Sequence, residues 1–424
     1  MNSKFLKDLP EMVEQGVITQ EVEDRIRHWY QEKEAAKPNR LLLVSGVLGA
    51  LLVGLGIILI LAHNWDNFSS LLKTALAFTP LFISQILVVY ALRRKSEVWL
   101  EATGVLLFFS VGTAISLISQ IYNIPGNIDN FLLLWIVLCA PLLYLLKSKS
   151  ITILHLVFST WWAVSSGYGY RAEIPWLFLV FLLWVLPFYR YLLYKNANGN
   201  MCAILSWGLP ISATIALGTF IADSELWGFL LYVLLFGIMY QWGSGKMLKE
   251  KSLMKNGFRV IGVLGMVVIM IITSFKDVWR EIASSGIEAE VELYMVVPMF
   301  ILFIFLLVRN LKEDMKLDFF LLIPFILTVI FLMGARSAIL ATIAINIITF
   351  LTGIVFTREG ALTTSFRKLN FGLLVITALI ACRFFDTDLS FVFRGILFVS
   401  IGLGFFLTNY FIVRKRAGSN TKLN

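Results

Sequence analysis

Polar and charged side chains interrupt the first long apolar run of the sequence at residues 62–67, AHNWDN. His63 and Asp66 are residue types that transfer protons or bind cations, and Lys73 follows at the start of the next apolar run. In one interpretation, Asp66 faces a cavity and pairs with a cation. In the other the turn is structural, because the indole of Trp65 favours the headgroup region and an aspartate or asparagine can cap the following helix.

A second charged turn, near the end of the sequence, resembles the first. The stretch CRFFDTDLSFVFR places an aromatic residue before Asp386, as Trp65 precedes Asp66, and a cation follows eight positions later. Charges at membrane depth are costly unless they are paired or hydrated, so a charged cluster between two apolar runs is a candidate for function. The cluster consists of Arg383, Asp386, Asp388 and Arg394.

Two further stretches carry polar residues that could line the same pocket. The run ISLISQIYNIPGN ends an apolar segment, and MGARSAI separates two others. The structural alternative is a polar helix terminus with an interfacial tyrosine. We predict one outward-facing polar pocket, formed by His63, Asn64, Asp66, Lys73, Gln120, Tyr122, Asn123, Arg336, Arg383, Asp386, Asp388 and Arg394.

Known catalytic and cofactor-binding motifs are missing from the sequence. It contains no HExxH, no GxxxxGK[ST] and no GxSxG, and its three histidines are widely separated. Glu101 and His155 could each belong to a proton path, although a glutamate that reaches the interface and a hydrogen-bonded histidine are the favoured interpretations. We therefore expect no metal and no cofactor, and favour a role other than catalysis.

Apolar runs long enough to cross a bilayer must position these residues. The chain is 58% hydrophobic and 15% charged, and runs of about 17 to 25 apolar residues, which cover about 30 Å as helix, recur after Arg40. We predict an all-α fold, a polytopic transmembrane bundle of about fourteen spans. Their limits are 41–61, 74–92, 98–121, 130–146, 151–170, 174–194, 201–221, 225–243, 258–275, 293–309, 319–334, 337–356, 369–382 and 391–413.

The basic residues predict an orientation. If both termini face the cytoplasm, 29 of the 36 lysines and arginines lie on the cytoplasmic side, as the positive-inside rule requires. The same distribution accounts for the net charge of +9, because the basic residues occur in short loops and not on one compact face. The expected partner is therefore the lipid bilayer, and we expect no binding of nucleic acid.

Residues 1–40 are predicted to form a small cytoplasmic helical cap, and residues 41–424 the transmembrane domain. Gly16 suits a helix C-terminus and Thr19 a helix N-cap, which favours two short helices, with Val22 among the residues packed between them. The cap either packs only on itself or docks a protein partner.

Several of these stretches resemble a family of predicted bacterial multi-pass membrane proteins, domain of unknown function 2157. The resemblance lies in EMVEQGVITQEV, GIILILAHNWDN and GTAISLISQIYNI. The segment RFFDTDLSFVFRGILFVSIGLGFFLTN is similar to an ending shared by that family and a related one. The resemblance implies a bacterial inner (cytoplasmic) membrane protein, and it brings no established reaction or catalytic residue.

Three hypotheses for function follow. The first is a transporter-like or envelope-associated bundle without enzymatic activity, in which the outer polar turns close a pocket for a small-molecule or lipid-linked ligand. The second is a membrane-embedded transferase for a lipid-linked substrate, with Asp66 as general base, although the short outer loops leave little room for a bulky acceptor. The third is a scaffold that recruits a protein through residues 1–40.

Overall fold

The computed structural model describes residues 9–35, 65–168, 173–221, 225–249, 251–284, 291–313 and 318–386, with scattered positions between 392 and 406. All regular structure in these ranges is helical, so the predicted all-α fold is confirmed. The chain forms two compact units, residues 1–76 and residues 77–424.

A helical hairpin lies at the start of the first unit. Helical residues 9–14 (α1) are followed by α2 (Gln20–Ala35). Gly16 adopts φ +69°, and its N–H donates to the Val13 carbonyl at 3.0 Å, while the Val17 N–H donates to the Met12 carbonyl at 2.9 Å. This is the Schellman motif, which needs a left-handed residue after the helix. The predicted turn is confirmed.

The packing of α2 differs from the expectation at one position. Val22 is 40% exposed, while the next residue, Glu23, is buried. A carboxylate tolerates burial when it is paired, and Glu23 accepts hydrogen bonds from Arg27 at 2.7 Å and from Gln20 at 3.2 Å. The prediction that Val22 is packed between the two helices is wrong, since Val22 is exposed while the paired Glu23 beside it is buried.

Fourteen further helices follow along the described part of the chain. Three short 3₁₀ helices lie at Trp65–Asn67, Gly218–Phe220 and Leu253–Lys255. The α-helices are α3 (Ser70–Arg94), α4 (Glu97–Ile121), α5 (Ile128–Cys139), α6 (Leu142–Leu146), α7 (Lys149–Gly167), α8 (Leu177–Asn196), α9 (Asn200–Leu217), α10 (Glu225–Ser244), α11 (Gly257–Ile272), α12 (Lys276–Ser284), α13 (Val291–Lys312), α14 (Phe319–Gly334), α15 (Ala338–Leu362) and α16 (Phe366–Asp386).

The lengths and composition of these helices support a multi-pass protein. Eight are long and apolar enough to cross a membrane: α3, α4, α5 continued by α6, α8, α9, α10, α13 and α15. The pair α11 and α12, bent by 86°, makes a ninth if it is one span, and α14 is a shorter apolar helix. Predicted spans two to thirteen each coincide with a helix. The total of about fourteen stays a prediction, because the first and last spans fall outside the described ranges or on scattered positions.

Helices α4, α5 and α7 share an aromatic core in the second unit. Trp135 packs on Phe158 with ring centroids 4.6 Å apart and on Phe108 at 5.4 Å, and its indole N–H donates to the Phe108 carbonyl at 2.8 Å. Gly112 makes this approach possible, since a Cβ there would lie 2.4 Å from the Trp135 ring. The core thereby fixes the angle between α4 and α5.

A second core joins α10, α11, α14 and α15, and α12 inserts into it. Trp279 and Ile282 of α12 are fully buried, and Trp279 lies 5.0 Å from Phe331 between ring centroids. Helix α12 therefore packs its apolar face against the bundle. Residues 285–290, which follow it, are outside the described ranges.

Candidate ligand cleft and polar sites

A cleft of about 720 Å³ lies between α3, α4, the loop after α4, and α5. Phe78 and Leu81 contribute the α3 wall, and Ile115 and Ile118 belong to the α4 wall. This volume is within the range that holds small-molecule ligands. The cleft belongs entirely to the second unit.

The loop end of the cleft carries neutral polar groups. Asn123 adopts φ +48°, which turns the chain sharply after α4, and the Ser119 hydroxyl donates to the Ile124 carbonyl at 3.0 Å. Asn127 caps α5 by accepting from the backbone N–H of Asn130 at 2.9 Å. Ser119, Gln120, Asn127 and Asn130 line the cleft here. Amides and hydroxyls in this position can exchange hydrogen bonds with an uncharged polar group.

The deeper part of the cleft is apolar. Its walls include Ala114, Phe131, Leu134 and Leu138, and the side chains of Leu134 and Leu138 are about half exposed. The α5 wall therefore lies on the outside of the described helices. None of the described residues that line the cleft carries an ionisable side chain. The cleft is shaped for a molecule that has an apolar part and a neutral, hydrogen-bonding part.

The cleft contains one residue of the predicted polar pocket, Gln120. Tyr122 and Asn123 are exposed in the turn that follows α4 but are not lining residues. Arg336 is exposed between α14 and α15, where its backbone N–H donates to the Met333 carbonyl at 3.0 Å. In the second unit, the described cleft thus brings Gln120 together with neutral residues and with none of the predicted charges.

Asp66 and Lys73 lie in the first unit. Asp66 is exposed in the 3₁₀ helix Trp65–Asn67, and the Lys73 ammonium sits 5.7 Å from the centroid of the Trp65 ring. Ser69, not Asp66, caps α3, since its hydroxyl accepts from the Leu72 N–H at 3.3 Å. Lys73 thus contacts the indole of Trp65, and within the described residues Asp66 forms no ion pair.

Much of the predicted pocket falls outside the described residues. His63, Asn64, Asp388 and Arg394 lie beyond the described ranges, and Arg383 and Asp386 are described only as backbone of the last turns of α16. The grouping of these residues into one outward-facing pocket remains a prediction.

Glu101 has a structural role that was not predicted from the sequence. It accepts hydrogen bonds from the Ser148 hydroxyl at 2.6 Å and from the backbone N–H groups of Lys149 and Ser150, both at 2.8 Å. These groups begin α7, whose positive end favours an anion. Glu101 therefore ties α4 to α7 as a helix cap. Its partners lie almost fifty residues away, so nothing near Glu101 in the sequence could have indicated this role.

His155 is a buried histidine beside a carbonyl acceptor, as the favoured interpretation of a hydrogen-bonded histidine predicts. It is 1% exposed, its Nε2 lies 3.4 Å from the Phe181 carbonyl, and its ring packs edge-on against Phe181 at 5.7 Å. Its position is that of a hydrogen-bonded core histidine joining α7 to α8.

One family model matches part of the chain. Residues 10–152 match the model of a family described as predicted membrane protein (DUF2157), and the match includes the α1–α2 hairpin, the turn at Asp66 and the whole cleft. The resemblance predicted from the sequence is confirmed over this third of the chain, and a membrane location with it. The likeness of the C-terminal segment to a related family stays a prediction. No curated protein and no solved structure matches significantly.

Proposed function

We propose that this membrane protein is a non-enzymatic bundle of the bacterial cytoplasmic membrane, with both termini in the cytoplasm, that binds an uncharged amphipathic molecule between α3, α4 and α5. One observation carries the proposal: the cleft has amides and hydroxyls at its loop end, an apolar interior, and no ionisable side chain among its described lining residues.

The proposed orientation supports this ligand class. It puts the loop after α4 at the outer surface and the apolar walls at the depth of the lipid chains. Lipid tails are as apolar as leucine, so the apolar part of a ligand gains little by leaving the bilayer for the cleft. Selectivity must then come from hydrogen bonds to Gln120, Asn127 and Asn130, and from the fit of the walls. A neutral lipid whose headgroup carries hydroxyl or carbonyl groups meets both requirements.

A matched pair of substitutions on α5 tests the proposal. Leu134 and Val137 are 47% and 49% exposed, but only Leu134 lines the cleft. Leu134→Trp should fill the cleft and reduce the copurifying neutral lipid at least about tenfold, a loss of about 1.4 kcal/mol in binding. Val137→Trp should leave the amount of lipid unchanged. Native mass spectrometry of the full-length protein measures both.

The contrary outcomes are equally specific. If Leu134→Trp and Val137→Trp copurify the same molecules as the wild type, then the cleft holds no ligand.

The charged turns support a separate proposal, in which Asp66 and Asp386 belong to one outer pocket. Their types and their similar surroundings in the sequence motivate it. We expect Asp66→Ala and Asp386→Ala each to remove a copurifying small molecule or lipid-linked sugar while membrane abundance stays at the wild-type level. If both variants retain it, this pocket assignment is wrong. A loss of turnover in Asp66→Ala with retained binding would instead favour the transferase hypothesis.

A scaffold is the remaining candidate function. The α1–α2 hairpin forms a small helical module, as a docking element requires. Deletion of residues 1–37 separates the possibilities, because a scaffold loses its protein partner and the lipid-binding bundle keeps its ligand.

A further inference from the structure

A set of polar side chains is buried where α10 and α13 end, in helices that do not line the cleft. Asn310 is 2% exposed and donates from Nδ2 to the Gln241 carbonyl at 3.1 Å. Gln241 is fully buried and donates from Nε2 to the Phe303 carbonyl at 3.3 Å. These bonds join the two helices and hold Arg309, the neighbour of Asn310, against the end of α10.

The guanidinium of Arg309 is held in place on two sides. It lies 5.5 Å from the centroid of the Trp242 ring, and its Nη2 donates to the Asn310 side-chain oxygen at 3.3 Å. Gly245 lies beside it, since a Cβ there would be in van der Waals contact with Nη2 at 3.6 Å. A planar cation stacked on an indole is oriented before any partner arrives.

The same guanidinium lacks a counter-ion among the described residues. Its Nε is buried without a hydrogen-bond partner, and no described carboxylate lies within ion-pair distance. Glu313 follows one helical turn later and is exposed. The unpaired oxygen of Gln241 is a neutral acceptor that one water can satisfy. Arg309 as a whole is only half-buried, so its unpaired guanidinium can meet an anionic acceptor from outside the protein.

The surroundings of Arg309 are basic. Lys246 and Lys249, just beyond α10, are exposed, and Lys312 ends α13. The next two lysines are already used, since Lys251 donates to the Ala197 carbonyl and Lys255 to the Asn198 carbonyl at 2.9 Å. Lys246, Lys249 and Lys312 therefore lie at the same ends of α10 and α13 as Arg309, which among the described arginines is the one with a buried, unsatisfied Nε.

We propose that Arg309, held on Trp242, binds the phosphate group of an anionic phospholipid at the Lys-rich end of α10 and α13. Arginine suits this ligand because its nitrogens can donate side by side to two phosphate oxygens. Both helices are candidate spans, so their ends lie at the level of the phospholipid headgroups. Assignment to the inner leaflet rests on the orientation proposed above, whereas the phosphate site does not.

Native mass spectrometry of the full-length protein in detergent tests this site, with phosphatidylglycerol as the phosphate-bearing probe and diacylglycerol as the lipid without phosphate. The wild type should retain phosphatidylglycerol, and Arg309→Gln should bind it at least about tenfold more weakly, as expected for loss of a charge-assisted hydrogen bond. Arg358→Gln, which removes an exposed arginine of α15, should bind like the wild type. Diacylglycerol binding should be the same in both variants.

Inorganic phosphate distinguishes a site for free phosphate from a site for the phospholipid headgroup alone. Competition by millimolar phosphate for phosphatidylglycerol would indicate that the site takes free phosphate as well as the headgroup. Retention of the lipid against phosphate would indicate a site for the headgroup alone. Either result supports a phosphate site only if the Arg309 substitution removes the binding.

Two gentler variants keep the test decisive if Arg309→Gln does not fold. Arg309→Lys keeps the charge and loses the planar fork, and Trp242→Phe weakens the stacking. Each should reduce affinity about threefold. Wild-type affinity in both would overturn the proposal and leave an ordered water as the partner of Nε. A Lys246→Gln, Lys249→Gln double variant that loses as much binding as Arg309→Gln would also overturn it, because the lipid would then be held by diffuse surface charge.

Discussion

Helix α4 carries a polar side chain near each end, and the two have different surroundings. Glu101 accepts three hydrogen bonds that tie α4 to the start of α7. Gln120 is exposed at the rim of the cleft, and no hydrogen bond of its side chain is found within the described residues. The same contrast separates the buried Asn310, which ties α10 to α13, from the exposed Asn130 at the cleft.

The difference shows how one bundle can separate stability from binding. The Glu101 carboxylate and the Asn310 amide are hydrogen-bonded within the protein and hold helices together. The exposed side chains of Gln120 and Asn130 keep their hydrogen-bonding capacity for another molecule. A substitution of Glu101 or Asn310 should therefore change the free energy of unfolding. A substitution of Gln120 or Asn130 should change the affinity for a ligand.

Glu101→Ala should have the largest effect on stability. Removing the carboxylate leaves the Ser148 hydroxyl and the N–H groups of Lys149 and Ser150 without their acceptor, at a cost of about 2–4 kcal/mol in the free energy of unfolding. Reversible unfolding in mixed micelles measures the change. Glu101→Gln, which keeps one acceptor oxygen, should lose less.

Glu97 provides the control on the same helix. It lies one turn earlier, is 80% exposed and contacts Lys149 at 3.6 Å. An exposed ion pair contributes little, so Glu97→Ala should change the free energy of unfolding by less than about 1 kcal/mol. Equal losses in Glu97→Ala and Glu101→Ala would show that general charge, and not the cap, stabilises this end.

Asn310→Ala should have a smaller effect. It removes the buried hydrogen bond to the Gln241 carbonyl between α10 and α13, and with it the acceptor of Arg309 Nη2. Together these are worth about 1–2 kcal/mol in the free energy of unfolding. Asn130→Ala, at the cleft, should leave stability unchanged because its side chain is exposed. If Asn130→Ala destabilised the protein as much as Asn310→Ala, the contrast between the two ends would fail.

The sequence predicts the helices well because their signals are local. The length of a run of apolar residues predicts the length of the helix, and predicted span 319–334 coincides with α14. Gly16 predicts a turn for the same reason, since a left-handed glycine after a helix needs no distant partner.

The sites are predicted poorly because they depend on which helices meet. Glu101 gains its role from Ser148 to Ser150, and Arg309 from Trp242, on another helix. The cleft depends on the separation of α3 from α5, which apolar periodicity does not specify. The predicted pocket, which consists mostly of charged residues, includes Gln120 but not its neutral neighbours Asn127 and Asn130.

Gln120→Ala should have the smallest effect, and it tests the other side of the comparison. On the proposed function, it removes one hydrogen bond to a neutral headgroup and lowers affinity about fivefold, close to 1 kcal/mol, without a change in unfolding. Gln85→Ala on α3 is the matched control, because Gln85 is also exposed and does not line the cleft. Lipid retention in native mass spectrometry and unfolding in micelles should be measured on the same preparations. Unchanged affinity with lower stability would place Gln120 with Glu101 and Asn310 among the groups that hold the helices together.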